Sequence, residues 1–391
     1  MESEDLEKVY NANSLIRAFK LCKKGTAWKE SVQSYEANLL LNTYHKQQEI
    51  ATLTHKQKPP REFDKRERGK VRHIKAIGVA DRVVQRSVCD NLLLPKLRPL
   101  LMYDNGASMK GKGVDFTRRR LVAHLEKYYR RYGTNKGYIL LIDFSKYFDN
   151  ILHEALLRDI KPYFDESSFK LIETLIESFK IDVSFMSDDE YAECLNTVFN
   201  SLEYESIDKN LLTGEKFMCK SMGIGSQISQ IAGVYYPHRI DNYCKIIKRI
   251  KFYARYADDS YAMSDSKEFL INLLDEIEEI GKPYGIYINK KKTCILPLSN
   301  FHFLKMNYSL LPNGKVKVRS TNETFRRERR KLKKHYKKLL EGTMPFKDIL
   351  EGYKSWRGNV EKFGNHYRIQ KIDNYFKELF KEIINNEKGN Q

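Results

Sequence analysis

The sequence predicts an α+β fold built on a split βαβ (ferredoxin-like) sheet, and three observations carry that expectation. GYILLIDFS, ending its apolar run at Asp143, is continuous in the way a strand buried on both faces is. KFYARYADDSYAM reads as two short strands about a turn. Helical segments separate and follow them, so residues 138–290 run strand, helix, helix, strand hairpin, helix, strand.

Taken in order, residues 1–58 read as helical, through SLIRAFKLCKK and SVQSYEANLLLNTYHKQQEIATL, up to the break at Pro59-Pro60. In REFDKRERGKVRHIKA the second half reads as a strand. Val83, Val84, Val88, Leu92 and Leu93 have helical spacing, with Asp81 expected as the cap. A Gly- and Lys-rich loop, NGASMKGKGVDF, leads to a helix through RRRLVAHLEKYYRRY. After the Asp143 strand, helices are expected over 153–180. Residues 183–218 are acidic and polar, without a clear period. SQISQIAGVYYPHRIDNYCKIIKRI reads as a helix that Pro237 would kink. A helix near LINLLDEIEEIGKPYG, a strand near IYIN and a basic helical C-terminal stretch complete the chain. In the last, Phe325, Leu332, Tyr336, Leu339 and Leu340 form an apolar stripe, and Ser320 and Glu323 are spaced as a capping box.

Composition narrows the function. The 391 residues carry 70 Lys and Arg against 51 Asp and Glu, a formal net charge of +19, with 12% aromatics, which suits a polyanionic partner with stackable bases. The cysteines at 22, 89, 194, 219, 244 and 294 form no C-x-x-C pair, which argues against a zinc site or a disulfide framework. No apolar run approaches the roughly 20 residues of a membrane helix. The opening MESEDLEKVY lacks the basic and apolar regions of a secretory signal, so a cytoplasmic protein with no membrane partner is expected.

Against this positive background, Asp258 and Asp259 stand together at a hairpin tip, and Asp143 ends the buried strand. If the two strands are neighbours, their tips converge. Two carboxylates about 4 Å apart repel by roughly 4 kcal/mol at an effective dielectric near 20. A divalent cation removes that cost, and a pair of such ions suits nucleotidyl transfer. Taken alone, the Asp pair is an ordinary β-turn dipeptide; its neighbours change the reading.

LLIDFSKYFDNILHEAL, SMGIGSQISQIAGVYY and YARYADDSYAM, in that order, resemble the palm motifs of reverse transcriptases, and the resemblance spans roughly residues 60–310. It implies a right-hand polymerase: N-terminal helices and fingers over 1–135, a palm over 136–318 with an insertion near 183–218, and a basic helical thumb over 319–391. It implies catalytic and metal-binding roles for Asp143, Asp258 and Asp259, holding two Mg2+ ions, with Mn2+ as a substitute. It places Lys70, Arg72, Phe144, Phe148, Gly225, Gln230 and Lys292 about the dNTP. Phe148, five residues past Asp143, would exclude a ribonucleotide by clashing with its 2′-OH. Ser229, Tyr256, Leu304, Lys305, Arg326 and Arg330 would meet template and primer. Lys305 stands where the family's F-L-G primer-grip motif has Gly, and Arg82 would face the template or a neighbouring carboxylate.

The activity implied is RNA-directed DNA polymerisation, with an RNA template that could be a dedicated non-coding RNA, a DNA primer, a cDNA product and dNTPs as partners. An accessory protein or a second copy of the chain is a further partner to consider. Ile224 and Gln230 depart from the common Q-G-x-x-x-S-P motif and resemble the I/L-G-x-x-x-S-Q form of diversity-generating retroelement enzymes. The expected setting is bacterial antiphage defence or a related domesticated retroelement. Mutagenic cDNA synthesis is the alternative, and a non-catalytic RNA-binding protein on a polymerase fold is the alternative class. No maturase or HNH-type extension is expected after the thumb.

Overall fold

The computed structural model describes residues 3–67, 69–204 and 207–389. It divides into two compact units. One comprises Met1–Thr117, Leu140–Met263 and Glu268–Cys294, the other Arg118–Ile139, Ser264–Lys267 and Ile295–Gln391.

The chain opens with α1 (Glu4–Tyr10), α2 (Ala12–Lys23), α3 (Glu30–Ala37) and α4 (Leu39–Ala51). Ser3 and Asn11 cap the first two, accepting from the amides of Leu6 and Asn13. A charged hairpin follows, β1 (Arg61–Glu67) with β2 (Lys70–Ala76), in register Arg61↔Ala76. Only its second half was expected as a strand. The first, REFDKRE, is almost wholly charged and mostly exposed, so no apolar alternation marks it.

Next is α5 (Val79–Val88), continued by a π-helical turn (Cys89–Leu93) into α6 (Leu94–Leu97). Val83, Val84 and Val88 are buried, as are Leu15, Ala18 and Phe19 of α2, the helix it packs against. Asp81 is not the cap. Gly78 holds that position, and the buried Asp81 carboxylate accepts from the Lys58 amide at 3.1 Å, tying the helix start to the segment before the hairpin.

After α7 (Val114–Tyr132) comes β3 (Tyr138–Ile142), almost entirely buried. Helices α8 (His153–Ile160) and α9 (Glu166–Glu177) lead to a short strand, β4 (Ile181–Asp182). The acidic stretch holds α10 (Asp188–Asn196), capped by a complete Ser187–Glu190 capping box, and closes with β5 (Phe217–Met218), which pairs with β4. Val183, Met186, Phe199 and Met218 form a small core of its own.

Helix α11 (Gln227–Tyr235) breaks at Pro237 into α12 (His238–Asn242), which runs on into a second π-helical turn (Tyr243–Ile247). The hairpin β6 (Tyr253–Tyr256) and β7 (Asp259–Ser264), the helix α13 (Lys267–Gly281) and β8 (Cys294–Pro297) follow. Sheet order is β6-β7-β3-β8, so the strand ending at Asp143 lies beside the strand starting at Asp259. This is the strand order of a split βαβ sheet. The strand expected near IYIN is reduced to a single bridge, Phe144 to Ile288, and the regular strand begins at Cys294.

The second unit carries the meander β9 (Phe301–Phe303), β10 (Met306–Leu310) and β11 (Val316–Ser320), then α14 (Asn322–Leu340), α15 (Phe346–Glu361), α16 (His366–Leu379) and α17 (Lys381–Gly389). Phe325, Leu332, Tyr353, Phe376 and Phe380 center its helical core, with the Tyr353 and Phe376 rings stacked at 4.3 Å. Two expectations for α14 change. Leu340 is 68% exposed, because it lies 100° round the helix from Leu339, which packs on the core. Ser320 ends β11 instead of capping: Thr321 takes the cap position, the Ser320 hydroxyl donates to Met306 Sδ, and Glu323 pairs with Arg327.

Candidate active site

Asp143 emerges from β3 into a web of contacts from one short loop. The Asn289 amide donates to its carbonyl at 2.8 Å, and Asn289 Nδ2 donates to Oδ1 at 3.0 Å. Lys292 Nζ donates to both carboxylate oxygens, at 2.7 and 2.9 Å. With the Ser145 amide donating to the Tyr287 carbonyl, the Asn289 backbone bond makes the Phe144–Ile288 bridge that stands where a strand was expected.

Asp258 lies in the two-residue turn of the β6–β7 hairpin, whose first central residue, Ala257, has φ of 55°. Glycine is the usual occupant of such a position, so the turn is strained. Arg255 holds it. Its Nη1 donates to the Ala257 carbonyl at 3.0 Å, and its Nε and Nη2 grip Asp241. Nη2 also donates to the Val234 carbonyl at the end of α11, and Tyr253 donates to Asp241 Oδ1 at 2.8 Å. Arg255 is completely buried; burial alone would lower its pKa, but the Asp241 charge and hydrogen bonds override that and raise it.

Burial pushes the Asp258 carboxyl above the usual carboxylate range, and the Asp143 charge pushes it the same way; Lys292 and Arg72 pull it down. The two carboxylates lie at neighbouring strand ends, Asp143 just past β3 and Asp258 just before β7. Asp259 heads β7 opposite Tyr256. No group of three His, Cys, Asp or Glu side chains is close enough to hold a metal among the described residues. What the structure offers a hard cation is the oxygen pair of Asp143 and Asp258, whose mutual repulsion a cation would relieve.

Asp258 opens on a cleft of about 750 Å³. Arg72, His73 and Lys75 of β2 line it, with Phe144 through Asp149, Ser221 through Ile224, and Asp258, Asn289 and Lys292. Val198, Ser201 and Leu202 of the acidic stretch line it too, which no sequence pattern announced. Phe148 sits in a 3-10 turn (Tyr147–Asn150), its carbonyl accepting from the Met222 amide at 2.7 Å. Its ring presses on α11 at Gly233, where a Cβ would stand 2.8 Å from Phe148 Cε1.

Of the other expected site residues, Gly225 has φ of 119° and lies against β2, where a Cβ would sit 3.5 Å from the Lys75 carbonyl. Ser229 is buried in α11 and its hydroxyl has no hydrogen-bond partner among the described residues, while Gln230 is exposed. Tyr256 is half-buried at the end of β6. Lys70 begins β2, but its side chain lies outside the described residues. Among the described residues Arg82 pairs with no carboxylate: it donates to the Cys22 carbonyl. Leu304, Lys305, Arg326 and Arg330 belong to the second unit. Leu304 and Lys305 form a two-residue hairpin turn with φ of 44° and 66°, and Arg118 donates to the Leu304 carbonyl at 2.7 Å. Arg326 is exposed, and Arg330 approaches Glu323 at 3.7 Å.

The fold and this cleft define a right-hand polymerase. A family model, reverse transcriptase (RNA-dependent DNA polymerase), matches residues 56–308, and the chain belongs to that family. No curated protein matches the chain. Among solved structures it is similar to telomerase from Candida albicans, at 14% identity and a TM-score of 0.44, covering 85% of this chain and 59% of that one. It is also similar to apo telomerase from Candida tropicalis, at 13% identity and a TM-score of 0.42, covering 66% and 54%. The chain therefore spans under two thirds of either telomerase chain. Reverse transcriptase domains use divalent metal ions in general. No helix among the described residues is long and apolar enough to cross a membrane.

Proposed function

We propose that this chain is an RNA-directed DNA polymerase that makes cDNA on an RNA template by nucleotidyl transfer. The observation that carries the reading is that Asp258, Arg72, Lys292 and Phe148 line one cleft, with Lys292 there gripping the Asp143 carboxylate at 2.7 Å. Asp143 and Asp258, with Asp259 next to Asp258 in sequence, would hold two Mg2+ ions, or Mn2+ in their place. Such ions, when bound, ease deprotonation of the primer 3′-hydroxyl and neutralise the departing pyrophosphate.

The chain's own groups do the rest. Arg72 and Lys70 bind the triphosphate, and Lys292 gives the pyrophosphate positive charge or a proton. Phe144 and Phe148 underlie the sugar, and Phe148 excludes the 2′-hydroxyl. Gly225, Ser229 and Gln230 meet the nascent base pair. Tyr256, Leu304 and Lys305 meet the primer, and Arg326 and Arg330, in a helix dense with Lys and Arg, hold the duplex backbone as a thumb. Fingers over 1–135, palm over 136–318 and thumb over 319–391 follow from these roles.

For the setting, the reading is a cytoplasmic enzyme of bacterial antiphage defence or of a related domesticated retroelement. The insertion between the first two palm motifs supports it, and sequencing of copurifying RNA and DNA tests it.

Primer extension on an RNA template with Mg2+ and dNTPs tests the activity. The Asp258→Ala, Asp259→Ala double variant is expected to lose it; equal product from both proteins overturns the reading in favour of a non-catalytic RNA-binding protein. Phe148→Ala is expected to admit ribonucleotides.

A further inference from the structure

We infer that the inserted segment between β4 and β5 is a wall of the nucleotide pocket, with Val198 and Leu202 as specificity-determining contacts; this rests on the polymerase reading above. Three observations converge on it.

The first is placement. Val198, Ser201 and Leu202 line the same cleft as Phe148, Asp149 and Asp258. Val198 is 43% exposed although it follows a helix whose neighbour Phe199 is buried in the insertion's own core. An apolar side chain turned out of its local core and into the cleft is a contact surface for a ligand that brings apolar area, as a base or sugar face does.

The second is attachment. The insertion is clasped to the turn that carries Phe148 by side chain and backbone together. Asn150 Nδ2 donates to the Phe199 carbonyl at 2.9 Å while the Phe199 amide donates to Asn150 Oδ1 at 2.8 Å. Ser201 Oγ donates to Asp149 Oδ1 at 3.1 Å. On the returning limb, the amides of Ser221 and Met222 donate to the carbonyls of Ile151 and Phe148. Displacing residues 198–202 therefore displaces the backbone on either side of Phe148.

The third is a pair of unusual residues on that limb. Lys220 is fully buried, its ammonium donating to the carbonyls of Cys194, Leu195 and Thr197 and closing the C-terminal end of α10. Ser221, which lines the cleft, has φ of 104°, a strained value for a residue with a side chain. His153 Nε2 holds its carbonyl at 2.6 Å. Strain kept by neighbours on both sides marks a place where position matters.

The test is single-nucleotide incorporation by the full chain, with dNTP and rNTP measured separately. Val198 and Leu202 sit on the cleft surface, so Val198→Ala with Leu202→Ala keeps the core intact. The expected result is KM for dNTP raised about three- to tenfold with kcat within about twofold, and a changed dNTP-to-rNTP preference. Leu202→Met, which conserves volume, is expected to restore KM. Wild-type extension with unchanged KM and preference in the double variant overturns the inference and leaves the polymerase reading standing. If the wild type does not extend a primer, the polymerase reading falls, and dNTP affinity followed by thermal shift decides the wall: equal affinity in both proteins overturns it.

Discussion

Arg255 Nη2 lies 2.6 Å from Asp241 Oδ2, with side-chain exposures of 0% and 1%, and the same guanidinium reaches the carbonyl of Ala257 one residue before Asp258. A buried ion pair is thereby wired to the turn that presents a carboxylate to the cleft. Removing one member of such a pair leaves the other charged and dry. Arg255→Met or Asp241→Leu is expected to cost about 3–5 kcal/mol of stability in urea unfolding, and the double variant clearly less than the sum. Because the Ala257 carbonyl also loses its donor, the folded double variant is still expected to extend primers poorly.

Gly233 is a second mechanical support. With 2.8 Å between its would-be Cβ and the Phe148 ring, alanine there must push the ring or the helix. Gly233→Ala is expected to raise KM for dNTP and alter dNTP-to-rNTP preference while the thermal midpoint falls only modestly. Unchanged discrimination would show that the Phe148 ring does not set it.

The hairpin turn at Leu304 and Lys305 predicts a gain. Both residues adopt left-handed φ, which costs a side-chain-bearing residue roughly 1–2 kcal/mol, and glycine avoids that cost less its own entropy. Lys305→Gly is therefore expected to stabilise the protein by about 1 kcal/mol in denaturant unfolding. A parallel loss in primer affinity would assign the lysine to nucleic-acid contact.

His153 predicts a pH dependence. Burial, with help from the Lys75 charge, holds its imidazole pKa below the usual value, against the pull of the Ser221 carbonyl. A group with a depressed folded pKa contributes stability fully above its unfolded value, about 6.5, and loses it as pH falls through the folded value. Melting temperature is thus expected to drop on acidification below about pH 6.5. His153→Gln, which keeps a donor for Ser221, is expected to flatten that slope.

How much of this could be read in the residues depended on how local the cause was. The apolar run before Asp143, the Ala-Asp-Asp turn and the helix at 325–340 were legible because their signals lie within a few positions. The strand β1 was not, since a charged two-stranded ribbon has no apolar face to show. Asp81 and Ser320 looked like caps because their type and spacing fit, yet each was claimed by a partner outside the helix, the Lys58 amide and Met306. Arg255 was the largest omission. It stood in plain view within RYADDSYAM, but its partner Asp241 belongs to another element, and nothing in the spacing links them. The cleft's third wall was hidden for the same reason: Val198 and Leu202 follow an acidic helix with no motif of its own.

The pairing of β4 with β5 brings Asp182 and Phe217 face to face, so the 34 residues between them leave the sheet region and return at one point. Changing the length of such a loop is cheap, about 0.6 kcal/mol per doubling, and the strands of the four-stranded sheet need not shift. Residues of this cassette nonetheless line the cleft that holds Phe148 and Asp258. It is thus a part that could be exchanged between related polymerases as a unit, carrying substrate preference with it while the carboxylates and their scaffold stay the same.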